Sequence, residues 1–250
     1  MEFEIRAGLL QKLLEAAAVV IEEPTLLFSE KGMVIVSFDE AHVFLLQMGV
    51  RKSEFEVYDV EGKQRICFDA GILSSYLRGA EGTAMLTVDK AKIDLMLPSK
   101  YGFKTFEVPL FAETGVTRVP KIELDSRCKV DLGALRSVVR DAERVKAEYC
   151  RFLARDEGIE VVIKGEKGNA KNMLELGKGI IDSELTTKSK FIITLLSLKD
   201  ILKVGSLFTN VVLFEFSEKL YPCRLTFQVP YDGNLIMYIA PIDDKEVYGK

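Results

Sequence analysis

Two helix-like segments of this 250-residue chain recur at one constant interval. Leu10 in GLLQKLLEAA and Leu135 in GALRSVVRDA lie 125 residues apart, and Leu77 in SSYLRG and Leu202 in KDILKV are separated by the same 125 residues. A repeat at a fixed spacing indicates that one structural unit occurs twice. The sequence therefore predicts two similarly folded halves.

Each half shows the same order of predicted elements: a helix, a hairpin, further strands, a second helix and a second hairpin. The hairpin segments are TLLFSEKGMVIVSF and AMLTVDKAKIDLMLP in the first half, and CRFLARDEGIEVVIKG and VVLFEFSEKLYPCRLTFQVP in the second. Turn residues between runs of β-branched and aromatic residues are typical of hairpins. Alternating apolar residues suit antiparallel strands that are covered on one face by helices. The predicted class is α+β, with more strand than helix and two tandem domains.

Between the halves lies PLFAETGVTRVPKIELDSR, which has no helical periodicity and contains Gly115 and Pro120. Such a segment is predicted to be an extended connector on the surface. We therefore expect a first domain over residues 1–110, a connector over 111–127 and a second domain over 128–250.

The composition limits the class of protein. No apolar run reaches the roughly 18 residues that a membrane span requires, and the start MEFEIRAGLL has no basic region followed by an apolar stretch. We therefore expect a soluble, cytoplasmic protein. The four cysteines are far apart and form no CxxC pair, so neither a disulfide framework nor a metal site is expected. A net charge of −4 argues against nucleic acid when taken alone, but the distribution of charge matters more than its sum.

Cationic residues form a stripe on the predicted helix DLGALRSVVRDAERVKA. Arg136, Arg140 and Arg144 follow one another at i, i+4 steps opposite the apolar face, and Asp141 and Glu143 are expected to lie off the stripe. Like charges at this spacing repel by roughly a few tenths of a kcal/mol per pair, so a solvated face usually mixes signs. The other three predicted helices also carry cations: Lys12, Arg78, Lys199 and Lys203.

Any one of these cations is explained by ordinary solvation, but together they predict a surface that faces a polyanion. No aromatic residues interleave with them, so stacking on single-stranded bases is not indicated. Lysine and arginine suit contacts with the backbone of a duplex, which do not depend on its sequence.

Little in the sequence indicates catalysis. The single histidine, His42, lies among apolar residues without a nucleophile beside it, and no phosphate-binding glycine motif is present. The acidic pairs Asp39–Glu40 and Asp243–Asp244 fall in a hairpin and a tail, where such pairs are usually solvated. We therefore expect no catalytic residues, no cofactor and no enzymatic activity. The alternative from another class is a metal-dependent nuclease or hydrolase on an α+β scaffold, because carboxylates distant in sequence can converge in a fold.

The segments FDEAHVFLLQ, FEVYDV and TRVPKIEL and the closing GNLIMYIAPID resemble the sliding DNA clamp family, proliferating cell nuclear antigen, and the resemblance extends along the whole chain. It implies a trimeric ring with antiparallel sheets outside and helices lining a central hole. It also implies a processivity factor that encircles duplex DNA and tethers polymerases, nucleases and ligases during replication and repair. The ring would be a homotrimer, or this chain would be one paralogue of a heterotrimer.

The resemblance also implies partners and a location. The partners are double-stranded DNA bound without sequence preference, DNA polymerase, flap endonuclease, DNA ligase and a clamp loader, with no membrane. The location is the nucleoid within the cytoplasm, or the nucleus if the source is eukaryotic. An archaeal source is favoured, because Arg155 occupies the turn where eukaryotic clamps carry the lysine that accepts ubiquitin, and Leu124 replaces a tyrosine of the connector.

Two docking surfaces follow from the same resemblance. The subunit interface would pair an edge strand before the connector with a strand of the next subunit, through Phe103, Lys104, Thr105, Phe106, Glu107 and Val108 on one side and Lys171, Asn172, Met173, Leu174, Glu175 and Leu176 on the other. The pocket for the partner motif would comprise Phe38, His42, Val43, Leu45, Val119, Pro120, Leu124, Pro222, Tyr238, Ile239, Ala240, Pro241 and Ile242.

Overall fold

The computed structural model describes residues 1–112, 119–230 and 233–248. Its α-helices are α1 (Ala7–Val20), α2 (Ala70–Leu77), α3 (Leu132–Val145), α4 (Leu195–Ser206) and a short α5 (Asp244–Tyr248). Both α3 and α4 begin 125 residues after their counterparts α1 and α2. The predicted helical repeat is confirmed. None of the helices in these residues is long and apolar enough to cross a membrane.

The chain divides into two compact units, the first formed by Met1–Val119 with Pro230–Leu235 and the second by Pro120–Val229 with Ile236–Lys250. The strands before the connector are β1 (Glu2–Arg6), β2 (Thr25–Ser29), β3 (Gly32–Phe38), β4 (Phe44–Arg51), β5 (Phe55–Asp59), β6 (Gln64–Cys67), β7 (Thr83–Val88), β8 (Lys92–Ser99) and β9 (Gly102–Pro109). One sheet has the order β5-β1-β7-β8-β9, and β6-β2-β3-β4 lie side by side in another. All these pairings are antiparallel.

The remaining strands are β10 (Ser126–Asp131), β11 (Ala147–Arg155), β12 (Gly158–Gly165), β13 (Gly168–Leu176), β14 (Gly179–Glu184), β15 (Lys190–Thr194), β16 (Val211–Phe216), β17 (Cys223–Val229) and β18 (Gly233–Ile239). Their order is β15-β11-β12-β13-β14-β10-β16-β17-β18. The pair β13–β14 is parallel and covers two residue pairs, Glu175 with Gly179 and Leu176 with Ile180. The predicted α+β class and the four predicted hairpins are confirmed by this strand pattern.

The helices pack on the sheets because their apolar residues lie on one side. In α3 that side consists of buried Leu132, Leu135, Val138, Val139 and Ala142. The helix begins where the Asp131 carboxylate accepts a hydrogen bond from Gly133 N–H at 2.7 Å, a cap of the kind that stabilises a helix by about 1 kcal/mol.

The second helix of the same unit, α4, has a capping residue and a close contact with the sheet. The Thr194 hydroxyl accepts from Ser197 N–H at 3.0 Å. A Cβ at Gly205 would lie only 2.5 Å from the Phe227 ring, so glycine at this position allows α4 to approach β17 closely.

The predicted connector has no helix or strand at 111–112 and 119–125, and its residues 113–118 lie outside the described residues. Strand β10 begins at Ser126, so the last two residues that we assigned to the connector are already paired in the sheet. Asp125 holds this junction, because its carboxylate accepts from the hydroxyls of Ser189 and, at 2.7 Å, Ser217. Burial raises the pKa of Asp125, but these hydrogen bonds outweigh it and lower the pKa below its usual value.

Candidate nucleic-acid interface and docking surfaces

The cationic stripe of α3 lies on the solvent side of the helix. Arg140 and Arg144 are exposed and Arg136 is half-buried. The expectation that both carboxylates lie off this stripe is wrong for Asp141, whose Oδ1 is 3.0 Å from Nη1 of Arg144. Within the described part of the chain, neither Arg136 nor Arg140 has a carboxylate within 4.0 Å.

The second helix of this unit adds to the same charged surface. Lys199 of α4 lies 2.6 Å from Glu143 of α3, so an ion pair joins the two helices. Lys203 is exposed. Burial raises the pKa of Asp200, and the neighbouring Lys203 acts in the opposite direction. The two helices together carry five cations and three carboxylates, which leaves a weak positive excess.

In the first unit, Lys12 is exposed on α1 and Arg78 is exposed next to α2. Arg78 is the C-cap of α2 rather than a residue within the helix. The equivalent helices of the two units therefore present cations to solvent, although fewer in the first unit. Their orientation toward DNA stays a prediction.

Sequence reasoning missed an apolar residue on the same surface. Leu196 is 70% exposed and shares a face of α4 with Lys199 and Lys203, because positions i, i+3 and i+7 lie on one side of a helix. The sequence signal was the position of Leu196 in LLSLKDIL, directly before the residues that are buried in this helix.

The predicted edge strand β9 pairs with β8 along its whole length, and it is the last strand of its sheet. Its first four residues are exposed, and Phe103 is 68% exposed. Phe106 stacks on Tyr76 of α2 with ring centroids 4.4 Å apart. Val108 is buried in the core of its own unit, so it can offer only its backbone to another chain.

The other predicted edge, β13, pairs with β12 throughout and with β14 only at Glu175 and Leu176. Its second edge is therefore unpaired over residues 168–174 among the described strands. Met173 and Leu176 are exposed, whereas Leu174 is 6% exposed. Asn172 donates its amide N–H to Asp141 Oδ2 at 2.8 Å, which ties the strand to α3.

Arg155 is the last residue of β11 and directly precedes the turn at residues 156–157. Glu160 accepts two hydrogen bonds from Arg155 and lies 3.1 Å from Lys171. Hydrogen bonds from Arg155 and then from Lys171 lower the pKa of Glu160.

Five of the residues that we assigned to the partner pocket lie in the first unit. In the first unit, Phe38 is exposed and stacks on His42, with ring centroids 5.1 Å apart. The loop between them is held by Asp39, which accepts from Phe44 N–H at 2.7 Å. Val43 and Val119 are half-buried, and Leu45 is buried.

In the second unit, the half-buried members are Pro120, Leu124, Pro222, Ala240, Pro241 and Ile242. Tyr238 and Ile239 are 6% and 2% exposed. Within their unit they therefore pack beneath the surface and do not present a contact surface. A cavity of about 200 Å³ is lined by apolar residues, among them Phe191, Leu220, Tyr221, Pro241 and Ile242, and by charged residues that include Lys190, Asp243 and Asp244. Sequence reasoning missed Leu220, which is 60% exposed. The pair of apolar residues directly before Pro222 in EKLYP could have indicated it.

The described residues contain no group of three or more His, Cys, Asp or Glu that could hold a metal ion. The four cysteines are buried, and burial raises the pKa of Cys128 and of Cys150 to about 12. A larger cavity in the first unit, of about 580 Å³, is lined by none of the predicted site residues.

Comparisons with known proteins agree with the geometry. Residues 1–97 match the family "Proliferating cell nuclear antigen, N-terminal domain". A "DNA polymerase sliding clamp" from Cenarchaeum symbiosum is 22% identical over 234 residues, which cover 93% of this chain and 94% of the relative. The structure of a PCNA2–PCNA3 complex from Sulfolobus tokodaii superposes with a TM-score of 0.82 at 19% identity, covering 96% of this chain and 99% of that one. A. fulgidus PCNA, solved with the C-terminal region of FEN-1, gives a TM-score of 0.81 at 20% identity, covering 97% and 98%.

Proposed function

We propose that this chain, which is a sliding clamp of the proliferating cell nuclear antigen type, encircles duplex DNA as a trimeric ring and tethers replication and repair enzymes to it. The observation that carries the proposal is the position of the cations. In two units with the same order of elements, the helices pack their apolar sides on sheets and present lysine and arginine to solvent. Such a surface attracts phosphates without reading bases.

The strength of this attraction suits a moving clamp. Two of the five cations on α3 and α4 are already paired with carboxylates, so the field that remains is weak and salt-dependent. A ring is retained on DNA by its closed topology and needs no tight contact. We therefore assign Arg136, Arg140 and Lys203, with Lys12 and Arg78 of the first unit, to the surface that faces DNA.

Ring closure is assigned to the unpaired edges of β9 and β13. One chain carries both edges, so identical subunits can join head to tail and close a ring. An exposed edge strand is otherwise a template for aggregation, and pairing within the ring removes that hazard.

A heterotrimer is the second candidate, because the Sulfolobus tokodaii relative forms a complex of two different clamp chains. Light scattering of the purified chain separates the two assemblies. Three copies of the 28.1 kDa chain give a particle of about 84 kDa, whereas a monomer or dimer indicates a missing paralogue.

We assign no chemistry to the clamp itself. Its partners are proposed to be polymerase, flap endonuclease, ligase and a clamp loader, and its place is on DNA, in the nucleoid. The A. fulgidus clamp was solved with the C-terminal region of FEN-1, and we propose that a peptide of this kind docks in the second unit, at the cavity lined by Tyr221, Pro241 and Ile242. The nuclease alternative predicts cleavage of plasmid DNA with Mg²⁺ or Mn²⁺, and the clamp predicts none.

Topology gives the decisive experiment. The chain is loaded on nicked circular DNA by a clamp loader and ATP, and the DNA is isolated by gel filtration at high salt. We expect the clamp to remain with circular DNA and to be lost after one restriction cut. Retention on linear DNA at high salt would contradict encirclement, and so would loss from the circle.

A further inference from the structure

The segment that ends at residue 248 is held on the second unit by a carboxylate between two cations. We call residues 241–248 the C-terminal arm. Asp244, the first residue of α5, accepts hydrogen bonds at Oδ2 from Arg151 Nη2 and from Lys190 Nζ, both at 2.6 Å. Arg151 lies on β11 and Lys190 begins the neighbouring strand β15, where Lys190 pairs with Leu153. Because side chains alternate along a strand, both cations project from the same face of the sheet.

This contact is partly shielded from water. The side chain of Asp244 is 15% exposed, against 30% for Arg151 and 44% for Lys190. Burial raises the pKa of Asp244, but the Lys190 hydrogen bond and the attraction of both cations outweigh it, so the pKa lies below its usual value. The carboxylate is therefore ionised at neutral pH. Asp243 beside it accepts a hydrogen bond from Lys245 N–H at 3.0 Å and forms no ion pair with the described residues.

The arm also forms one wall of the 200 Å³ cavity. Pro241 and Ile242 line it together with Phe191, Leu220 and Tyr221. Residues 240–243 belong to no strand or helix, so no ladder of backbone hydrogen bonds fixes that wall. The ion pairs of Asp244 hold the chain at the residue that directly follows this wall.

We propose that Asp244, Arg151 and Lys190 are positioning residues for partner docking: their ion pairs hold residues 241–243 in place, so that the cavity exists before a partner peptide arrives. This inference rests on the proposed function, because it takes the arm as one wall of the docking surface. A wall that is ordered in advance raises affinity, since the peptide then does not have to order it on binding. The occupant is an extended peptide with an apolar anchor, for which the C-terminal region of FEN-1 is the probe.

The test compares Asp244→Asn with Asp156→Asn, which makes the same chemical change at an exposed turn residue of the same unit, outside the cavity and the ion pairs. Hydrogen–deuterium exchange over residues 238–248 reports the order of the arm, and fluorescence anisotropy with a labelled peptide of the FEN-1 C-terminal region reports docking. We expect Asp244→Asn to speed exchange in the arm and to weaken peptide binding by about tenfold, because the peptide then has to order the arm on binding. Asp156→Asn should behave as wild type.

Two further variants separate positioning from general damage. Arg151→Met should reproduce the effect, and Arg151→Met with Asp244→Asn should cost less than the sum of the single changes, because both remove one shared interaction. Asp244→Glu keeps the charge and should restore part of the affinity.

Each result bears on a different step. If Asp244→Asn frees the arm while the peptide binds as tightly as to wild type, the positioning role is wrong and the proposed function stands. Unchanged exchange in the Asp244→Asn arm also overturns the role, because the ion pairs then do not hold it. If the wild-type chain does not bind the peptide, the docking surface of the proposed function fails and the positioning role fails with it.

Discussion

Reversing the charge of Arg136 and Arg140 tests the DNA-facing surface directly. The five cations and three carboxylates of α3 and α4 give a formal charge of +2. The double change to glutamate subtracts four charges and leaves about −2 per chain, so a weakly attractive surface becomes repulsive. Each arginine that neutralises a phosphate contributes about 0.9 to the slope of log K against log salt, so the slope should fall by up to about 1.8 per subunit.

Stability should hardly change, because both side chains are at the surface of α3. The wild-type helix has repulsive i, i+4 pairs at 136/140 and 140/144, whereas the variant has one repulsive pair and one attractive pair, Glu at 140 with Arg144. The difference is about 0.5 kcal/mol in favour of the variant, which corresponds to about 2 °C or less in Tm for a chain of this size.

The assay is anisotropy of a labelled duplex titrated with the clamp at several salt concentrations, together with stimulation of a polymerase on loaded circular DNA. The control is Lys167→Glu with Lys188→Glu, which changes the net charge equally at exposed turn residues of the same unit. We expect the helix variant to lose binding and stimulation, and the control to retain most of both. Equal losses in the two variants would refute the assignment, as would an unchanged salt slope or an unfolded helix variant.

Three further outcomes are expected. Leu176→Asp, at a 62% exposed site on the β13 edge, should dissociate the trimer and leave the Tm of the monomer unchanged. Ile181→Asp, at a 55% exposed site on β14, should leave the trimer intact. Light scattering measures the assembly of both variants. The four cysteines are buried, so a thiol reagent at pH 8 should label none of them before urea unfolds the chain, and rapid labelling of the native protein would contradict their placement. The folded-state pKa of Asp125 is lowered, so its stabilisation is present above the unfolded value of about 3.9 and is lost as pH falls through the lower folded value. Asp125→Asn should therefore be less stable than wild type at pH 7 and should lose less stability on acidification, as measured by urea unfolding.

The repeat was predictable because helical and strand periodicities are local properties. Leu10, Leu77, Leu135 and Leu202 all have at most 9% exposure, and each lies on the apolar side of a helix, where a fixed interval in sequence becomes a fixed position in the unit. The hairpins followed from turn residues between apolar runs in the same way. The end of the connector did not, because Ser126 joins β10 through pairing with β14 and β16, and no local pattern announces such a pairing.

Contacts between distant elements were beyond the sequence for a similar reason. The ion pair of Lys199 with Glu143 joins residues 56 positions apart, and the two cations around Asp244 come from two different strands. The acidic pair Asp243–Asp244 was interpreted as solvated tail. This is wrong for Asp244, whose side chain is 15% exposed. Only the fold shows that Asp244 is held by ion pairs whereas its neighbour Asp243 is not.

The paired state of Arg144 and Lys199 changes how the positive surface should be understood. A helix pair built for tight DNA binding would leave all five cations free, because each phosphate contact adds affinity. Here Asp141 and Glu143 hold two of them within 3.0 Å, and the same Asp141 accepts from Asn172 of the β13 edge. Asp141 therefore links the cationic surface to the strand assigned to ring closure, and both carboxylates lower the charge of that surface. Weak attraction and a well-supported edge are both properties that a ring moving along DNA requires.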